Sequence, residues 1–384
     1  MSHKSRKLDA VDLALAAALT RPSPWSYEFS PDRVLARAKY HGVMGLLAEH
    51  VENLEFWPQV LVDRIRQQAR SQAFWELAHR EVLTGLFAAL ALMKVDCIIL
   101  KGTALAYSLY SEPALRARGD TDLLVPVSQR GNARSALADA GFVRLGAGYR
   151  PDSVLSLQES WILQRRDGSS HAIDLHWSLF NSQFLKRRLA LDQLSLNLQP
   201  LAQLGDGALI MSDVGQFLFA AVHRAQHIAN PYYSDGIAYY SADRLIWLYD
   251  LHLLAEQFNK EDWDLLIEVA RQQGLKSFCL DGIEKCARFF GSLIPSHVTK
   301  RLRDDTTASA IEKYVMRSSR LVRFWKDILA TPGSADKLSY VRELLFPPGE
   351  FMRRKYHPLS HFPLAFLYGR RMIDFAVSDQ AGSA

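Results

Sequence analysis

Two aspartates one residue apart, Asp120 and Asp122, stand directly before an apolar run, Leu123-Leu124-Val125. Side chains alternate between the faces of a strand, so this spacing aims both carboxylates the same way, close enough to share divalent cations. A third acid, Asp174 in Ala172-Ile173-Asp174-Leu175-His176-Trp177, has apolar residues on both sides and suits a neighbouring strand. Hard oxygen donors fit Mg2+ (or Mn2+) together with phosphate oxygens, and a two-metal clamp stabilises the attacking and leaving oxygens of a phosphoryl-type transfer. Asp174 could complete one metal site and accept a proton from an incoming hydroxyl. His176, two residues on, shares its face and is expected to line the site.

The phosphate-holding half is expected at Lys101-Gly102-Thr103, where the β-branched run from Val95 to Leu100 stops and helical spacing resumes. Gly102 would let the backbone approach a triphosphate, and Thr103 would direct a hydroxyl and helix N-terminal N–H groups at anionic oxygen. Arg116 and Arg118, just before the acidic pair, are candidates for neutralising phosphate, and the sequence does not choose between them. Each feature alone has an ordinary reading: a solvated acidic loop, a turn glycine, surface arginines. It is their order along the chain that points to one site.

Taken together, these segments resemble the DNA polymerase beta-like nucleotidyltransferase superfamily, and within it the bacterial group of uncharacterised nucleotidyltransferase family proteins. The resemblance rests on the Leu100–Leu105 turn, an arginine shortly before Asp120–Val125, and the Asp174–Trp177 strand. It continues through His223 and His227, Trp247–Leu251 and Leu345-Phe346-Pro347, covering roughly residues 80 to 375. It implies transfer of NMP from an NTP to a hydroxyl-bearing acceptor, with Mg2+ on Asp120, Asp122 and Asp174. It likewise implies nucleotide contacts from Lys101, Gly102, Thr103, Arg116, Arg118 and His176. The chain departs from the common pattern with Thr103 in place of serine and Lys101 in place of an apolar residue. The superfamily modifies small molecules, proteins and nucleic acids alike, so the acceptor stays open. The alternatives are a catalytically silent nucleotide-binding or scaffold protein and an RNA- or DNA-modifying nucleotidyltransferase.

The elements that must position these residues give an α+β fold: a small mixed β-sheet core flanked by N-terminal helices and a C-terminal helical domain. The expected divisions are 1–92, 93–200 and 201–384. Prolines 22, 24, 31 and 58 punctuate the first region, which ends in a long helix over Arg64–Met93. Strands are expected at 95–100, 121–127, 142–145, 160–165 and 171–177, where the sheet should end, with helices over 101–110 and 128–140. From about residue 212 helical blocks follow near 213–230, 240–258, 261–274, 276–291 and 307–330.

His223 and His227 are four apart on one helical face, the spacing of zinc-binding helices, but Arg224 stands where a metalloprotease needs its glutamate. Packing between the helices and the sheet with Asp250 as partner, or lining the cleft, are the better readings. Arg353-Arg354-Lys355 and Arg370-Arg371 interleave with Phe351, Tyr356, Phe362, Phe366 and Tyr368, a mixture that can grip nucleic acid. The favoured reading is a tail whose aromatics dock while its basic residues face water. A net charge of +5 over 384 residues is too mild to argue for nucleic acid. Three scattered cysteines exclude a disulfide framework and point to a cytoplasmic protein, and no stretch is apolar enough to span a bilayer.

Overall fold

A computed structural model describes residues 9–145, 153–194, 197–229, 232–234, 237–239, 243–304, 307–359 and 361–377. Helices Ala10–Ala18 (α1), Pro31–His41 (α2) and Met44–Glu49 (α3) precede the 34-residue helix Gln59–Leu92 (α4). Pro31 opens α2 at its first position, where a missing N–H leaves no bond unmade. α4 bridges two cores. Leu61, Val62 and Ile65 near its start pack with the N-terminal helices, while Leu83, Leu86, Phe87 and Leu90 near its end cover the sheet.

The sheet is built from Cys97–Leu100 (β1), helix Lys101–Leu109 (α5), Asp120–Leu124 (β2), helix Arg130–Asp139 (α6), Val143–Arg144 (β3), Gln158–Gln164 (β4) and Ser170–His176 (β5). Two short helices, Gln183–Arg188 (α7) and Leu191–Leu194 (α8), lead to Leu198–Pro200 (β6) and Ala208–Met211 (β7). Its order is β3-β4-β5-β2-β1-β7-β6, with β1 parallel to β7 and antiparallel to β2, and β2 parallel to β5. The sheet therefore does not end at residue 177, as the sequence suggested, and it reaches past the division expected at 200. β6 is exposed throughout and contains Pro200, as an edge strand can, and β7 is only four residues of unbroken apolar sequence. Neither carries a period that separates it from the helix that follows.

Alternation gives the sheet two different faces. Cys97, Ile99, Leu123, Ile173 and Leu175 point toward α4, α5 and α6 and are wholly buried there. Ile98, Leu100 and Leu124 point the other way, into the core shared with the C-terminal helices. Asp120, Asp122 and Asp174 have the same parity as this second set, so they project from that face at the end of the strands where the helices stand off.

The covering helices are Asp213–Ala229 (α9) and, beyond the hairpin Tyr232–Ser234 (β8) with Ile237–Tyr239 (β9), Leu245–Gln257 (α10), Lys260–Gln272 (α11) and Lys276–Phe290 (α12). Ser296–Arg303 (α13), Ala310–Glu312 (α14), Arg320–Ala330 (α15), Ser334–Leu345 (α16), Gly349–Lys355 (α17) and Leu364–Val377 (α18) complete the chain. No helix of the described residues is long and apolar enough to cross a membrane. The three cysteines are free and buried.

Candidate active site

A cleft of about 460 Å³ opens between the carboxylate-bearing face of the sheet and helices α9 and α10. Lys101, Gly102, Arg116, Arg118, Asp120, Asp122, Asp174 and His176 all line it, so segments far apart in sequence converge on one space. Parallel pairing of β2 with β5 sets Asp122 directly opposite Asp174, and Asp120 lies one alternation earlier on the same face. One donor atom from each of Asp122, Asp174 and His176 lies within 4.8 Å of the others.

Each acid has a different environment. Lys101 Nζ donates to Asp122 Oδ1 at 2.6 Å and His176 Nε2 donates to the same oxygen at 2.8 Å. Burial alone would raise the Asp122 carboxyl, but the Lys101 ammonium and the His176 ring outweigh it and hold it well below the usual carboxylate range. Asp174 accepts from Ser160 Oγ at 2.6 Å and Gln158 Nε2 at 3.2 Å, both on neighbouring β4. Asp120 reaches cleft solvent yet has protein around it on most sides. Burial, with the charges of Asp122 and Asp174, pushes it up to about 7. Of the described cations that line the cleft, only Lys101 forms a salt bridge with one of the three acids, and the acids' mutual repulsion is the condition a bound divalent cation relieves. The oxygen-rich donor set fits such an ion. His176 Nδ1 is buried without a hydrogen-bond partner among the described residues.

The turn between β1 and α5 is under strain and tightly packed. Lys101 adopts φ 52°, a left-handed conformation that costs a non-glycine residue about 1–2 kcal/mol. A Cβ on Gly102 would lie 2.8 Å from Arg116 Nη1, so glycine is required here by the arginine as well as by any ligand. Thr103 corrects the sequence reading. Its hydroxyl is buried, bonded to Thr121 Oγ1 at 2.8 Å and accepting from Arg118 Nε at 3.0 Å, so it is turned away from the cleft. The Lys101 side chain and the backbone N–H groups of this turn remain to meet an anion.

The two arginines are both braced. Arg116 donates from Nε at 3.0 Å and Nη2 at 2.7 Å to the two oxygens of Asp250 on α10, which also accepts from Tyr110 at 2.7 Å. Arg118 donates from Nη2 to Glu76 on α4 at 2.7 Å. They line the cleft, but their guanidinium forks hold the Ala117–Gly119 turn between the N-terminal and C-terminal helices. Behind β2, Thr121 meets His79 Nε2 at 2.8 Å, and His79 stacks between Trp75 and His171. This buried polar layer fixes the strand that carries the acidic pair.

His223 and His227 form the opposite wall, bonded to each other through their Nε2 atoms at 2.9 Å, and His227 stacks on Trp247. Their partner is not Asp250, which Arg116 and Tyr110 occupy. Burial, then the charge of Lys101, pushes His227 down to about 4, and burial holds His223 well below its ordinary value. Both rings are neutral near pH 7. Arg244, Asn181 and Gln158 also line the cleft, as no sequence signal had suggested. Ser160 could have been found, because it sits opposite Asp174 in the hairpin register.

Residues 27–291 match the family described as uncharacterised nucleotidyltransferases, well over half of the sequence. The chain belongs to this family. The match spans the sheet, the acidic strands and the helices that close the cleft, and ends before the last C-terminal helices. No protein with a curated description matches the chain.

Proposed function

We propose that this nucleotidyltransferase-family cleft moves NMP from an NTP to an acceptor hydroxyl, with a divalent cation bound by Asp120, Asp122 and Asp174. The observation that carries the reading is the pairing of Asp122 with Asp174 across parallel strands, with Asp120 beside them on the same face. A Mg2+ or Mn2+ ion there would neutralise triphosphate charge and favour the alkoxide form of the acceptor. The backbone N–H groups of Gly102 and Thr103, at the start of α5, hold the leaving pyrophosphate. Lys101 supplies a second cation on the cleft floor. Asp174 takes the proton of the acceptor hydroxyl, held in position by Ser160 and Gln158. Arg116 and Arg118 serve by fixing the turn that presents Asp120, and His176 by orienting Asp122. The arrangement agrees with the polymerase beta-like pattern of a glycine turn, an Asp-x-Asp strand and a distal aspartate.

Calorimetric titration with a non-hydrolysable α,β-methylene NTP tests this reading. Binding is expected to need Mg2+ and to weaken at least about tenfold in Asp122→Asn, the scale of one lost charge-assisted contact. Equal affinity with EDTA present, or in folded Asp122→Asn, removes the metal-site reading.

A further inference from the structure

Surface helices of a folded protein turn their apolar side inward. α15 departs from this: of its large apolar side chains only Ile328 is buried. Leu321, Val322, Trp325 and Leu329 fall within a ~100° arc at about 3.6 residues per turn, and all four are exposed, Trp325 at 59 % and Leu329 at 68 %. The opposite side of the helix is pinned by a polar group. Buried Asp327 accepts from Ser182 Oγ at 2.9 Å, from the Phe184 backbone N–H at 2.8 Å and from Tyr314 OH at 2.8 Å. These bonds fix the rotation of α15, so its apolar ridge cannot turn inward without stranding a buried carboxylate.

One end of the ridge borders a cavity of about 470 Å³ lined by Phe184, Arg187, Arg188, Lys326, Leu329 and Ala330. Among these described residues three are cations and none is a carboxylate. Arg187 and Arg188 are exposed in the last turn of α7, and neither they nor Lys326 form a salt bridge among the described residues. The Arg188 guanidinium lies 4.6 Å over the Phe184 ring, and Lys326 Nζ, 5.6 Å from the same ring, donates to Ser318 Oγ at 3.3 Å. A ring face and a hydroxyl position these groups without neutralising them.

We propose that this ridge and its cationic rim dock on an anionic phospholipid surface. Leu321, Val322, Trp325 and Leu329 enter the boundary between headgroups and acyl chains, and Arg187, Arg188 and Lys326 meet the headgroup phosphates. An amphipathic helix with apolar and aromatic residues beside Lys and Arg is the surface that binds such an interface, and tryptophan settles at its level. The ridge offers apolar area and a single Trp325 N–H, with no set of polar groups to fix the register of a protein partner. A second copy packed ridge to ridge would bring two cationic rims together, which their repulsion opposes. Attachment of this kind is peripheral and needs no membrane-crossing helix. α15 lies beyond the residues that match the family, and the proposal stands independently of the metal-site reading.

The test is co-sedimentation of the full-length protein with vesicles of phosphatidylcholine alone or of phosphatidylcholine and phosphatidylglycerol in equal parts. Wild type is expected to bind the mixed vesicles, to bind the neutral ones far less, and to lose affinity as salt rises. Arg187→Glu with Arg188→Glu, and Trp325→Ser with Leu329→Ser, should each weaken binding to mixed vesicles at least about tenfold. All four side chains are exposed, so both double variants are expected to keep the wild-type melting temperature, and either one alone tests the proposal. Failure of wild type to bind mixed vesicles at millimolar lipid, or undiminished binding by either folded variant, overturns it. So does a concentration-dependent dimer in lipid-free sedimentation that Trp325→Ser with Leu329→Ser dissolves, because the ridge then belongs to a second copy.

Discussion

Replacing Asp250 by alanine removes one carboxylate and strands three donors. Arg116 loses both of its charge-assisted bonds, at 3.0 and 2.7 Å, and Tyr110 loses its own at 2.7 Å. Asp250 is 1 % exposed and Arg116 7 %, so water cannot readily take the place of the missing oxygens. Breaking a buried ion pair from one side costs about 3–5 kcal/mol, mostly because the remaining charge stays buried and unpaired. That is a large share of the roughly 5–15 kcal/mol that stabilises a typical domain. Urea denaturation should show the loss as a lower midpoint. Adding Arg116→Met to Asp250→Ala should recover part of it, because the stranded charge is then gone, and the cycle gives the coupling directly. The same change frees the turn before Asp120, so nucleotide binding should fall in Asp250→Ala even where the protein is folded. An Asp250→Ala protein within about 1 kcal/mol of wild type would show that the pair does not hold the Ala117–Gly119 turn.

Acidification below pH 6.5 should destabilise the fold through its buried histidines, offset in part by Asp120, whose raised carboxyl takes up a proton in the folded chain before the unfolded chain does. Burial, then Arg118, pushes His79 down to about 2, and His227 falls to about 4, whereas both titrate near 6.5 when unfolded. Below pH 6.5 the unfolded chain binds protons that the folded chain refuses, so stability falls as pH drops, by about 2 kcal/mol per such histidine between 6.5 and 5. Denaturation midpoints measured over that range should decline, and a flat profile contradicts the buried neutral rings. Gly102→Ala places a methyl 2.8 Å from Arg116 Nη1, which Asp250 prevents from moving aside. Overpacking of about 1–3 kcal/mol should exceed the helix-propensity gain of about 1 kcal/mol, giving a modest stability loss with a larger loss of nucleotide binding. Unchanged stability and binding would mean that the turn has room to spare.

The acidic face was legible because strand alternation is rigid: once Asp120, Asp122 and Asp174 are assigned to strands with apolar neighbours, their common direction follows. The strand-turn-helix at Lys101 was legible from the break in period. What the sequence does not carry is who meets whom at long range. Arg116 and Arg118 look like free phosphate clamps until Asp250 and Glu76, 134 and 42 residues away, are brought against them. Thr103 looks like a phosphate ligand until helix packing turns its hydroxyl toward Thr121. The edge strand β6 and its neighbour β7 were lost because they are too short for a period to show. The aromatic tail is only partly docked, with Phe362 and Phe366 stacked on each other and still partly exposed, while Arg371 is turned inward.

Three converging carboxylates are proposed to direct transfer of the α-phosphoryl end of an NTP. Parallel incubations of a cell extract and Mg2+ with α-labelled and γ-labelled NTP, using wild type, Asp120→Ala and Asp174→Asn, address it most directly. The expected result is α-label on an acceptor with wild type alone and γ-label on none. Equal α-labelling by folded Asp120→Ala or Asp174→Asn, or transfer of the γ-label, would contradict it.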